Sequence, residues 1–168
     1  MTIASHDSPQ ADPAPAPAVT DMPVLLPTRE DLLERLAAEL PSSGEQPTTL
    51  LVIGLLRRDD GWPTPTSTLA QVTQLFARSV RGDDWLGASG AAEFGIVLAG
   101  PTTAAEVAGA RLIASITALG VPGLTAAAGY ATLLPELSAS EVFRRATLSL
   151  TAARRVGAGT VIRYREPV

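Results

Sequence analysis

The sequence predicts an α/β sandwich of the ferredoxin-like kind, with helices packed on a central, mostly antiparallel five-stranded sheet. Three observations carry this. Segments with apolar residues three and four apart alternate with short aliphatic runs, in the order helix, strand, helix, hairpin, helix, strand, helix, strand. The hairpin falls mid-chain, where Gly90-Ala91-Ala92 separates two apolar runs. A length of 168 residues with 46% hydrophobic content suits one domain with a buried core.

Residues 1–20 are dominated by Pro, Ala, Ser and Asp, including Asp12-Pro13-Ala14-Pro15-Ala16-Pro17. They carry too little apolar surface to offset the entropy of ordering, so they read as a disordered or extended tail, with 21–168 as the domain. Thr28 with Asp31 three residues on makes a variant capping box, and Leu32, Leu33, Leu36 and Leu40 form the stripe of the first helix. Pro41-Ser42-Ser43-Gly44 stops it. Residues 50–56 are the aliphatic run expected of a central strand covered on both faces. Asp59-Asp60-Gly61-Trp62-Pro63-Thr64-Pro65 marks a loop, after which Leu69, Val72, Leu75, Phe76 and Val80 define a helix over 66–80. Strands at 85–89 and 94–99 form the hairpin. Thr102 or Thr103 caps a helix running to about 119, closed by Gly120 and Pro122. A strand over 124–133, a helix opened by Ser138 or Ser140 and ending near 156, and a strand over 160–164 complete the chain.

Composition narrows the function. No apolar run approaches the ~20 residues needed to span a bilayer, so no membrane partner is expected, and the N-terminus lacks the basic start and apolar stretch of a secretory signal. There is no cysteine, hence neither a disulfide nor a thiolate metal site, and the expected location is cytoplasmic. His6, the sole histidine, lies in the tail, far from any imidazole chemistry of the domain. All 13 basic residues are Arg, which removes lysine nucleophiles, and the net charge of −4 argues against nucleic acid as a partner. No cofactor is called for.

The stretch from Arg81 through Gly82-Asp83-Asp84-Trp85 to Phe94 resembles the hairpin of a GGDEF domain, the diguanylate cyclase family. The family reads Arg-x-x-Asp, a few strand residues, then Gly-Gly-Asp/Glu-Glu-Phe. Here Arg81 and Asp84 are kept, and the turn is Gly90-Ala91-Ala92-Glu93-Phe94. The likeness reaches from Asp21 to Arg165. Residues 21–29 keep the Asp, one Leu and the Arg of the family's Asp-x-Leu-Thr-Gly-Leu-x-Asn-Arg. Ala110-Arg111-Leu112 is similar to its Glu-Arg-Ile or Glu-Arg-Leu, and Gly129 stands where its Ser-Ile-Gly strand has glycine. Residues 144–157 look like its Arg-Ala-Asp-x-Ala-Leu-Tyr-x-Ala-Lys-x-x-Gly run. The resemblance implies the nucleotide-cyclase palm fold.

It also implies a degenerate cyclase. Joining two GTP molecules needs divalent metal to neutralise charge building on the phosphoryl oxygens, and the metal needs hard carboxylate ligands. The family takes these from Asp-x-Asp of the first strand and from the third position of the turn. The matching residues here are Gly54, Leu56 and Ala92, none of which binds a cation. Ala91 replaces the second glycine, which lets backbone approach the triphosphate. The guanine-reading Asn and Asp fall in a shortened loop at Trp62-Pro63-Thr64-Pro65 and Thr66. Arg154 stands for the phosphate-contacting Lys, and Ala158 for the Arg four residues later. Asp59, Asp60 and Glu93 are the carboxylates from which a metal site would have to be rebuilt. The expectation is a protein without cyclase activity.

In many family members the Arg-x-x-Asp binds cyclic di-GMP as a feedback inhibitor, with a second Arg from the following helix. The residues matching that site are Arg81, Asp84 and Arg111. A guanidinium forks onto phosphate or a guanine edge and stacks on purines, while the carboxylate accepts from guanine N–H groups. The plainer reading is a helix-ending turn, with Arg81 favourable at the C-terminal dipole. Arg144, Arg145, Arg154 and Arg155 read as a solvated helix face, and Trp62 and Trp85 as packing residues, Trp85 beside the Arg81/Asp84 corner.

Two functions compete. One is an inactive regulatory domain that binds cyclic di-GMP. The other is a ligand-independent interaction module, binding a protein partner or itself as a homodimer, through an apolar former active face of Gly54, Leu56, Ala88, Ala91 and Ala92.

Overall fold

The computed structural model describes residues 25–56 and 62–168. The expected tail, 1–20, and the loop residues Asp59, Asp60 and Gly61 lie outside them. Thr28 caps α1 (Arg29–Glu39) through the reciprocal box its sequence foreshadows: Thr28 Oγ1 accepts from the Asp31 N–H at 3.3 Å, and the Asp31 carboxylate accepts from the Thr28 N–H at 2.7 Å. Pro41 does not stop the chain outright. Proline needs no N–H in a first turn, so a 3-10 turn over Leu40–Ser42 continues the helix and buries Leu40.

β1 (Thr48–Leu56) starts two residues before the aliphatic run, because Thr48 and Thr49 already pair with the neighbouring strand. α2 (Thr66–Ser79) leads to the hairpin of β2 (Trp85–Gly90) and β3 (Glu93–Ala99). α3 (Thr102–Ala118) differs from expectation at its start. Pro101 takes the cap position, so Thr102 and Thr103 lie inside the first turn and no side chain caps the helix. β4 (Thr125–Thr132), α4 (Ala139–Val156) and a short β5 (Val161–Arg163) follow, with Ser138 accepting from the Glu141 N–H as the cap of α4.

The strands lie in the order β2-β3-β1-β4-β5, forming an open sheet that is antiparallel except where β5 runs parallel to β4. β1 is central and, Leu56 aside, buried. Its alternation sends Leu51, Ile53 and Leu55 into one core with α2 and α3, and Leu50 and Val52 into another with α1 and α4. Gly129 fixes the second layer. A Cβ there would run into the α4 backbone at Leu150 N, Ala146 O and Ser149 C, so only glycine lets α4 lie this close to β4. Among the described residues no helix is long and apolar enough to cross a membrane.

Candidate functional site

The Arg81/Asp84 corner is built by the end of α2 and the entry to β2. Val80 ends the helix in extended conformation, and the Asp84 N–H donates to the Arg81 carbonyl at 3.0 Å. The Asp84 carboxylate then ties the corner down. One oxygen accepts from the Arg81 N–H and the other from the Ala99 N–H at the end of β3, each at 3.2 Å. The helix-ending role is therefore present, and it uses the side chain a ligand would also need. A carboxylate has about four acceptor positions, so two remain.

α3 closes the other side. Thr103, Val107 and Arg111 recur at four-residue spacing, one stripe of a helix facing Arg81 and Asp84. Between them lies a cavity of about 340 Å³, floored by Leu98 and Ala99. Thus Arg81 and Asp84, from the loop between α2 and β2, and Arg111, from α3, line one cavity. Thr103 and the exposed Val107 were not foreseen, although their spacing from Arg111 was there to read. Trp85 belongs to the layer with α1 and α4, because its first strand position sends the indole over Gly87. It does not line the cavity.

The second candidate region lies at the opposite end of the strands. Gly54 of β1 pairs in register with Glu93 of β3, and both face α4. Arg154 of α4 lays its guanidinium on Gly54 and reaches Glu93 at 2.9 Å. This corrects the picture of a purely apolar face: the missing side chain at 54 makes room for a charged one from α4. Leu56, Pro63, Leu69, Ala91 and Ala92 join that pair around a cavity of about 570 Å³. Ala91 and Ala92 alone form the hairpin turn, because Gly90, expected within it, pairs with Glu93 as the last residue of β2, with a bulge between Ala88 and Gly90. Ala92 sits at φ 53°, a left-handed conformation ordinarily left to glycine, and its carbonyl accepts from the Leu55 N–H at 3.0 Å. Phe94 is buried edge-on against Phe76, with ring centroids 4.9 Å apart. Trp62 does not pack inward: it is 73% exposed beside Pro65, Val121 and Pro122. Among the described residues no three acidic or histidine side chains gather where a metal ion would sit.

A central, mostly antiparallel sheet crossed by two helices on each face, with a hairpin at one edge, defines the nucleotide-cyclase palm fold. More particularly, it is the fold of GGDEF domains. The chain is similar to the active GGEEF domain of a diguanylate cyclase from Vibrio cholerae, at 19% identity over 84% of this chain and 99% of that one, with a TM-score of 0.73. It is similar to the GGDEF domain of DgcB from Caulobacter crescentus in complex with c-di-GMP, at 20% identity, 90% and 99% coverage and a TM-score of 0.71. It is also similar to the diguanylate cyclase SiaD from Pseudomonas aeruginosa in complex with its activator SiaC, at 24% identity, 82% and 58% coverage and a TM-score of 0.73. No protein-family model matches the sequence, and no curated protein matches it.

Proposed function

We propose that this chain is a GGDEF-fold regulatory domain without cyclase activity, and that it binds cyclic di-GMP in the cavity of Arg81, Asp84 and Arg111. The observation supporting this is their convergence on about 340 Å³ of open space. Arg81 and Arg111 supply forked donors for phosphate or guanine edges, and Asp84 retains free acceptor positions for guanine N–H groups. The loss of cyclisation rests on Gly54, Leu56 and Ala92, which offer no carboxylate, and on Arg154, whose charge is already met by Glu93. Likeness to a GGDEF domain crystallised with c-di-GMP makes that dinucleotide the first ligand to test.

The test is calorimetric titration of cyclic di-GMP, with GTP as control and Arg81→Ala as the site variant. Micromolar binding, weakened at least tenfold by the substitution, supports the reading. Absence of heat at high ligand overturns it. In that case the second reading stands, an interaction module binding a protein partner or a second copy through the apolar surround of the Glu93–Arg154 pair. Leu56, Pro63, Leu69, Ala91 and Ala92 favour such a contact.

A further inference from the structure

A larger cavity, of about 630 Å³, opens beside β5, on the far side of the α3 N-terminus from Arg81. Thr102, Thr103 and Glu106 of α3, Tyr130 of β4, and Arg163 and Arg165 stand around it. The strand period explains the two arginines. Val161 packs on Gly109 of α3, while Ile162 and Tyr164 belong to the layer with α4. Arg163, two residues beyond Val161, therefore returns to the α3 side, and Arg165, just past the end of β5, lines the same cavity.

Charge at this place is unbalanced. Neither Arg163 nor Arg165 pairs with a carboxylate among the described residues, since Glu166 meets Arg145 at 2.6 Å and Glu106 accepts from the Tyr130 hydroxyl at 3.4 Å. Tyr130 is only 3% exposed. Burial first, and then Glu106, push its phenol above the ordinary range, while Arg163 and Arg165 act in the opposite sense, so both guanidinium charges are felt at the hydroxyl. Two cations against one carboxylate leave an excess of positive charge. The hydroxyls of Thr102 and Thr103 stand at the rim, and their backbone N–H groups find no acceptor among the described residues. The cavity's apolar wall wraps the free edge of β5, with Val161 on the α3 side and Ile162 and Leu148 on the α4 side.

We propose that this cavity is a second ligand site, distinct from that of Arg81, and that it takes a phosphate group held by Arg163, Arg165 and the first turn of α3. A phosphate monoester carries about −1.5 to −2 charge at neutral pH and presents three acceptor oxygens, which suits two forked guanidinium groups plus hydroxyl and amide donors. The apolar wall would hold the organic part of a phosphorylated small molecule. Glu106 keeps the lining from being fully cationic, and so disfavours a polyanion in the whole cavity.

The test uses the full chain at low ionic strength, with inorganic phosphate and guanosine monophosphate as separate probes. Binding is read from the shift of the Thr102 amide, which borders this cavity and not that of Arg81, and from calorimetry. The expected result is millimolar or tighter binding of at least one probe, weakened at least tenfold in Arg163→Ala/Arg165→Ala and unchanged in Arg81→Ala. Tighter binding of the nucleotide identifies an organic phosphate as occupant, and equal affinity identifies free phosphate. The Arg163→Lys/Arg165→Lys variant keeps the charge and loses the fork, so its affinity should fall between the two. No shift with either probe, or binding indifferent to the double substitution in a protein with unchanged melting temperature, overturns the proposal.

Discussion

Arg154 and Gly54 share one volume. A Cβ on Gly54 would meet the Arg154 guanidinium, and Arg154 uses that space to reach Glu93 at 2.9 Å. The atoms in the way are the far end of a flexible side chain, so Gly54→Ala displaces Arg154 rather than breaking the sheet. The pair is partly exposed, which limits its worth to about 1 kcal/mol. Gly54→Ala and Glu93→Gln should each change stability by no more than about 1 kcal/mol, and the double variant by no more than the larger single. Urea denaturation of all four proteins reads this. Additive losses would mean that Arg154 reaches Glu93 without the space at residue 54.

Asp84 serves the fold whether or not a ligand visits, through its bonds to the Arg81 and Ala99 N–H groups. Asp84→Ala leaves both donors to solvent at an exposed corner and should cost about 1 kcal/mol. Arg81→Ala removes no side-chain hydrogen bond or ion pair among the described residues and should cost less than about 0.5 kcal/mol. Thermal denaturation separates them. Equal losses would show that the corner depends on the Arg81 side chain as well.

The fold was legible because its periods are simple. Residues 50–56 read as a buried strand, the leucine stripe from Leu32 placed α1, and Gly129 fell where α4 needs closest approach. What failed was what depends on partners distant in sequence. Thr102 and Thr103 look like caps, yet backbone geometry gives that place to Pro101. Gly54 reads as a lost ligand position, and nothing local reveals that Arg154, a hundred residues on, occupies its space. The corner of Arg81 and Asp84 was readable from spacing, but its wall of Thr103 and Val107 needed the packing of α3 against the hairpin.

Ala92 holds a left-handed backbone at φ 53° in the hairpin turn. For a residue with a Cβ this costs roughly 1–2 kcal/mol, and glycine returns part of it through the entropy of its unfolded chain. Ala92→Gly should therefore stabilise by about 1 kcal/mol and raise the melting temperature by about 2–4 °C. An unchanged or lowered melting temperature would refute the strain.

Gly129 is the reverse case, for a Cβ there meets main-chain atoms of α4 that no rotamer change can move. Gly129→Ala must push α4 away from β4 and loosen the core of Val142, Ala146 and Leu150. The expected loss is about 3 kcal/mol, at the upper end of overpacking. Near-neutral stability in denaturant titration would show that the two layers can separate cheaply.

Glu141 links pH to the attachment of the C-terminal residues. Its carboxylate accepts from Arg144 Nε and Nη2 and from Arg145 Nε, all at 2.8 Å. Arg145 also stands 5.0 Å from the Tyr164 ring centre and meets Glu166 at 2.6 Å, so the segment after β5 is held on α4 through the same guanidinium. Hydrogen bonds from Arg144, then Arg145, lower the Glu141 pKa from 4.5 to about 2. A carboxyl more acidic in the folded state stabilises the fold when ionised. That contribution is complete above pH 4.5 and is lost as pH falls through about 2. Glu141→Gln should be less stable than wild type at neutral pH, show a shallower decline across this window, and converge with wild type near its acid end. Urea titrations at a series of pH values measure the difference curve, in which the remaining carboxylates cancel. A difference independent of pH would assign the Glu141 effect to shape rather than charge.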